Sequence, residues 1–186
     1  MKKLFITIGV IAAAVILFIL YLNNVYNGAV NRDEETKARW ADVGASYQRR
    51  ADLIPNLMNT VKGAAANEKD ILSSVTALRS GISSAKTPED FDAVGKKINA
   101  AINLTFEAYP QIRSTENFQT FQAQLEGTEN RINVSREDYN ESVNHYNSYI
   151  RGFITHVVLG IAGGNFEPKK GFEAAAGTEK APEVKF

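Results

Sequence analysis

Residues 116–156 read ENFQTFQAQLEGTENRINVSREDYNESVNHYNSYIRGFITH, and the spacing of their apolar positions decides the fold. Phe118, Phe121, Leu125, Thr128 and Ile132, followed by Tyr139, Val143, Tyr146, Ile150, Phe153 and Val157, recur in steps of three and four, the period of one helix face. Near Ser135 the alternation slips by one, as a straight helix drifting against a heptad requires. At the standard rise about 40 residues extend roughly 60 Å. That exceeds an ordinary globular helix, so the pattern predicts a helix running the length of a bundle.

The segments upstream supply its neighbours. Thr87 caps, Pro88 takes the first helical position and Asp90 stands where a capping box wants an acid. Phe91, Val94, Ile98, Ile102, Thr105 and Tyr109 then hold one face until Pro110 stops the helix, and Ser114 or Thr115 begins the long one. Over residues 30–54, Trp40, Val43, Tyr47 and Ile54 recur at helical spacing. Asp52 and Pro55 mark a new helix or a sharp kink. Leu57, Val61, Ile71 or Leu72, Val75, Leu78 and Ile82 follow, and the cluster Ser80, Gly81, Ser83 and Ser84 reads as a loop. From Gly160 the pattern collapses into a tail with no helical face, in which Phe166, Phe172, Val184 and Phe186 are suited to dock. The expectation is an all-α chain: an antiparallel bundle of about four long helices over 23–159 and an irregular C-terminal tail over 160–186.

In front of the bundle, residues 4–22 read LFITIGVIAAAVILFILYL and carry no charge. Nineteen residues span roughly 28 Å as a helix, close to the ~30 Å hydrocarbon core of a bilayer. A cleaved signal peptide is the rival reading, since Lys2 and Lys3 form a basic flank over residues 1–3. The run is longer than a usual signal core, and its one clean Ala-x-Ala, Ala12 to Ala14, lies in mid-run. An uncleaved signal anchor fits better. Lys2 and Lys3 abut the amino end, while the first basic residue beyond the run is Arg32, which places the amino end in the cytoplasm and the body outside it. Tyr26 and Val30 extend the helical spacing past Leu22, so the anchor and the first bundle helix read as one rod; a break at Asn23, Asn24 or Gly28 is the alternative.

The remaining chain is long enough for one domain with a real core. Setting aside Lys2 and Lys3 from 21 basic residues leaves 19 against 21 acidic ones, so no basic field attracts nucleic acid. There is no cysteine, which removes disulfides, thiolate nucleophiles and a lipoprotein anchor. The two histidines, His145 and His156, lie about 16 Å apart along one helix, too far for one ion. Neither a zinc-protease nor a diiron pattern appears, and Gly160, Gly163 and Gly164 have neither the order nor the preceding strand of a phosphate loop. They read as a helix cap and exit. No cofactor, metal or catalytic constellation is expected.

Two polar groups stand out as candidate structural or interaction networks. Asn133, Asn140 and Asn147 repeat every seven residues, with Asn130 nearby, and a heptad stripe of amides can fix register across an interface or bind a peptide. Arg49, Arg50 and Asp52 precede Leu53, and Arg50 and Asp52 are placed to pair with Glu126 or Glu129 of the long helix. The sequons at Asn103, Asn133 and Asn140 fall inside predicted helices and read as chance.

These segments resemble the LemA family. The resemblance is carried by Trp40, Ala41, Asp42 and Val43, by the string QRRADLIPNL over 48–57, by Val61, Lys62 and Gly63, by Glu116, Asn117 and Phe118, and by LEGTENRI over 125–132. Tyr139 with Asn140, Tyr146 with Asn147, Phe172 with Glu173 and APEVKF over 181–186 continue it to the end of the chain. It implies a single-pass bacterial membrane protein with a helical bundle and no catalytic residues to carry over. Family members are discussed alongside membrane proteases and TPM-domain proteins, and in one branch with internal membrane organelles. Ala64, Ala65 and Ala66 replace an aromatic common among relatives.

The functional expectation is a scaffold or interaction protein of the bacterial inner membrane, touching lipid through residues 4–22 and a membrane or membrane-proximal protein through its bundle. A laterally assembling, membrane-organising protein, with a second copy as partner, is the alternative.

Overall fold

A computed structural model describes residues 2–59, 68–110 and 116–173, and no strand occurs among them. The helices are α1 (Lys2–Ala51), α2 (Leu53–Asn59), α3 (Glu68–Ser84), α4 (Pro88–Ala108), α5 (Glu116–Arg151) and α6 (Phe153–Ala162). The chain is all-α. Ala64, Ala65 and Ala66 lie outside the described residues, as do Val184 and Phe186.

The chain divides into two compact units, Met1–Ala38 with Glu141–Lys169, and Arg39–Asn140 with Lys170–Phe186. In the first unit, α1 runs unbroken through Asn23, Asn24 and Gly28, and its most apolar stretch is wholly unburied. Past that stretch Val25 and Ala29 become buried. Ala29, Tyr146, Ile150 and Leu159 form the core, with Tyr26, Tyr149 and Phe166 packed against it. Gly28 does not break α1. A Cβ there would land on the Tyr149 hydroxyl, so the missing side chain admits the ring that joins α5 to α1. Tyr149 donates to Val25 O at 3.0 Å, and the Arg32 guanidinium lies 3.9 Å over its ring.

The expected helix over 116–156 ends at Arg151. Gly152, with no side chain and ψ 133, leaves the helical conformation, and its carbonyl restarts the ladder by accepting from His156 N–H at 2.8 Å. Helical structure then persists to Ala162, beyond the expected start of the tail, until Gly163 stops it in the left-handed conformation (φ 70).

In the second unit, residues 39–51 of α1 pack with α2 to α4 and residues 116–140 of α5. Val43, Tyr47, Ile54, Leu57, Phe91, Ile98 and Ile132 are buried. The start of α4 has the full capping box: Thr87 Oγ1 accepts from Asp90 N–H, and Asp90 accepts from Thr87 N–H. Ser80, Gly81, Ser83 and Ser84 belong to α3 and are not a loop. Ile82 is buried, the hydroxyls of Ser83 and Ser84 bond back to the carbonyls of Ser80 and Gly81, and Gly81 lets α3 approach Val94 closely.

Candidate functional site

The polar chemistry gathers in two places in the second unit and in asparagine contacts within each unit. Trp40 is the hub of an aromatic cluster, with ring centroids 4.7 Å from Phe91, 5.0 Å from Tyr139 and 6.0 Å from Phe172. Arg136 closes this cluster. Its guanidinium lies 4.7 Å over the Phe172 ring, and one terminal nitrogen donates to both Tyr47 Oη and Asp92 Oδ1. Burial pushes the Tyr47 hydroxyl above the ordinary tyrosine range, and the Arg136 charge opposes that rise.

Beside it, Arg50 donates to Glu129 and, at 2.9 Å, to Asn99 Oδ1. This is one of the pairings the sequence allows. Asp52 pairs elsewhere: its Oδ1 accepts from Arg79 at 2.7 Å and from Gln48 at 3.1 Å. The Nε atoms of Arg50 and Arg136 are buried without a hydrogen-bond partner, so each guanidinium is held by its terminal nitrogens. Tyr47, Asp92, Lys96, Asn99, Glu129 and Arg136 line a cleft of about 650 Å³ that carries charges of both signs.

A wider groove of about 1060 Å³ opens between α1 and α5 of the same unit, with Asp42, Arg49, Asn56, Gln124, Arg131 and Asp138 among its walls. Its floor is a buried hydroxyl pair. Ser135 donates to Ser46 Oγ at 3.0 Å, while Ser46 donates to Asp42 O. The slip in the apolar ladder is therefore a polar rung inside the packing. Arg49 lines the groove; Glu126, Asn130 and Asn133 are exposed on α5, away from the arginine pairs.

Two of the three heptad asparagines, Asn140 and Asn147, hold an extended chain and not another helix. In the second unit, Asn140 Nδ2 donates to Phe172 O at 3.0 Å and Asn140 Oδ1 accepts from Phe172 N–H at 2.7 Å. In the first, Asn147 Nδ2 donates to Lys169 O at 2.7 Å and its Oδ1 accepts from Lys169 N–H at 2.8 Å. Each amide thus meets both backbone groups of one residue, as a neighbouring strand would. Close to Asn147, Lys169 Nζ lies 2.6 Å from Asp33 Oδ1 and 4.8 Å from the Tyr146 ring centroid. Burial pushes the Asp33 carboxyl up, but hydrogen bonds from Lys169 and Lys37 outweigh it and hold the group below the ordinary aspartate range.

Sequence reasoning did not single out Arg136, Asp92, Asn99 or Arg79. An arginine in a polar stretch of helix reads as a surface residue, and only the location of α4 and α3 reveals the partners. His145 and His156 are exposed, and no group of three or more His, Asp or Glu residues is placed to hold a metal among the described residues.

A bare apolar helix at the amino end, followed by polar helical units, defines a membrane-associated helical protein. The LemA family profile matches residues 39–186, and the chain belongs to the LemA family. It is 26% identical over 161 residues to Protein LemA of Metamycoplasma hominis, a match covering 84% of this chain and 73% of that protein. It is also 27% identical over 163 residues to the magnetosome proteins MamQ 1 and MamQ 2 of Paramagnetospirillum magneticum, covering 72% of this chain and 60% of theirs.

Proposed function

We propose that this chain is a single-pass interaction protein of the bacterial inner membrane, anchored by residues 4–22 with its amino end in the cytoplasm and its helical units outside. It does no chemistry and presents the α1–α5 groove to a protein partner as a scaffold. The observation that carries this reading is the groove itself: about 1060 Å³, open, and lined by apolar surface including Ala45, Leu53 and Val134 together with side chains of both charges and amides, the mixed lining of a protein–protein contact. Arg49 and Arg131 on its walls supply the charge-assisted donors of such a contact. A photocrosslinking residue at Arg131, followed by mass spectrometry on native membranes, tests it. Reproducible crosslinks to another protein support a scaffold, whereas exclusive self-crosslinks sink it.

Self-crosslinks would favour the second reading, a membrane-organising protein that assembles laterally. Similarity to two magnetosome proteins supports that alternative. For orientation, an alkaline phosphatase fusion at Phe186 should be active; an inactive phosphatase with a bright fluorescent-protein fusion at the same point reverses it.

A further inference from the structure

We propose that α6 is an interfacial helix, lying in the headgroup layer beside the anchor and seating its uncovered apolar face in lipid. The helix has ten residues, FITHVVLGIA, and no charged side chain. Phe153 is 84% exposed, Ile154 56%, Val157 46% and Ile161 72%, values that match the bare anchor, where Leu17 is 67% and Phe18 59% exposed. At 3.6 residues per turn these four positions fall within an arc of about 100°, a continuous face. Val158 and Leu159 are buried on other sides of the helix, Leu159 in the core with Ala29. The face is therefore not an unfinished side of the core.

Its position identifies what covers it. Just before α6, Tyr149 donates to Val25 O; just after it, Gly164 and Phe166 lie against the Tyr26 ring, with Phe166 edge-on at 5.7 Å. Both flanks of α6 therefore meet α1 three or four residues beyond Leu22, roughly 5–6 Å along the helix axis. The headgroup layer occupies about 5–8 Å on each side of the hydrocarbon core. The segments flanking α6 are thus both fixed to α1 at the edge of the bilayer, which keeps the ten residues between them close to that level. Ten residues are too few to cross it, so a bare apolar face at this level is covered at the interface, while the opposite sides of the helix are held by protein through Val158 and Leu159. The lipid that surrounds residues 4–22 is continuous with the space in front of this face.

The inference rests on residues 4–22 lying in the bilayer, and the test separates the two. The protein has no cysteine, so single substitutions Phe153→Cys, Val157→Cys and Ile161→Cys in the full chain each accept one nitroxide label. Leu17→Cys in the anchor and Glu137→Cys, exposed on α5, are the references. In vesicles of phosphatidylethanolamine and phosphatidylglycerol, the α6 labels should collide with oxygen over a water-soluble nickel chelate at a ratio several-fold above that at position 137, approaching that at 17. A ratio at α6 equal to that at 137, with 17 still lipid-like, overturns the inference and leaves the tether standing. Water-like values at 17 as well overturn both. Exclusion of both reagents from α6 also overturns it, because protein and not lipid then covers the face.

Discussion

Replacing Asn140 by alanine tests whether the amide clamp holds the extended segment in place. The side chain makes two hydrogen bonds to the backbone of Phe172, at 2.7 and 3.0 Å, and alanine removes both while leaving the Phe172 ring against Trp40, Phe91 and Tyr139. At about 0.5–1.5 kcal/mol net for each bond, the loss is about 1–3 kcal/mol. With a tenfold change per 1.4 kcal/mol, local opening around Phe172 becomes roughly 5- to 140-fold more frequent. Hydrogen exchange of the peptide containing residues 170–173, followed by mass spectrometry on the full chain in nanodiscs, reads this directly. Asn133→Ala, one heptad earlier and exposed, should leave that peptide unchanged. Gly171→Ala should reproduce part of the effect, because a Cβ there would lie 2.7 Å from Asn140 Oδ1. If Asn140→Ala leaves exchange at 170–173 unaltered, or if Asn133→Ala matches it, the clamp is not what holds this segment.

Three further outcomes are expected. Asp33 has a depressed pKa, so its contribution to stability is complete above its unfolded value of 3.8 and is lost as pH falls through the lower folded value; Asp33→Asn should flatten the acid limb of thermal unfolding between about pH 2 and 5, and an unchanged limb would contradict the pairing with Lys169. Gly28→Ala gains about 1 kcal/mol of helix propensity but drives a methyl into Tyr149, an overpacking of about 1–3 kcal/mol; faster exchange over residues 141–151 is expected, partly relieved by adding Tyr149→Phe, and a stabilised protein would refute the close approach. Ser46→Ala and Ser135→Ala should each destabilise by about 1 kcal/mol, the pair together by clearly less than the sum, since one shared hydrogen bond is lost only once. Additive denaturation midpoints would show that the two hydroxyls do not interact.

How far the sequence alone reached depended on whether an interaction was local. The Thr87 and Asp90 capping box lies within four consecutive residues and was legible residue by residue. The apolar ladder of α5 marked Phe121, Ile132, Tyr139, Val143, Tyr146 and Ile150, which are buried, but its expected continuation to Phe153 and Val157 fails: past the break at Gly152 both are exposed. Arg50 and Glu129, 79 positions apart, were paired by chemistry and an assumption of neighbouring helices. Asp52 was not matched to Arg79, because nothing in either segment announces that α3 returns to that corner. The asparagine repeat was visible, yet its partner was hidden: residues 163–173 have no periodicity, and two amide contacts with backbone depend on no side-chain type at Lys169 or Phe172. Gly152 also misled, since a glycine within a continuing apolar ladder carries no sign that the helix breaks there.

The way the first unit is assembled from both ends of the chain bears on its biogenesis. Asp33 meets Lys169 across 136 positions, and Val25 meets Tyr149 across 124. At about 5–20 residues per second, the ribosome needs roughly 7–27 s after making Asp33 before Lys169 exists. During that interval residues 4–22 have already emerged and can engage the membrane, while Val25 and Ala29 still await the segments that will bury them. Closing so long a loop is slow compared with forming the helices themselves. Under the anchoring proposed for residues 4–22, insertion precedes folding of this unit, and a nascent chain stopped before Lys169 presents a tethered but unfinished substrate to membrane quality control.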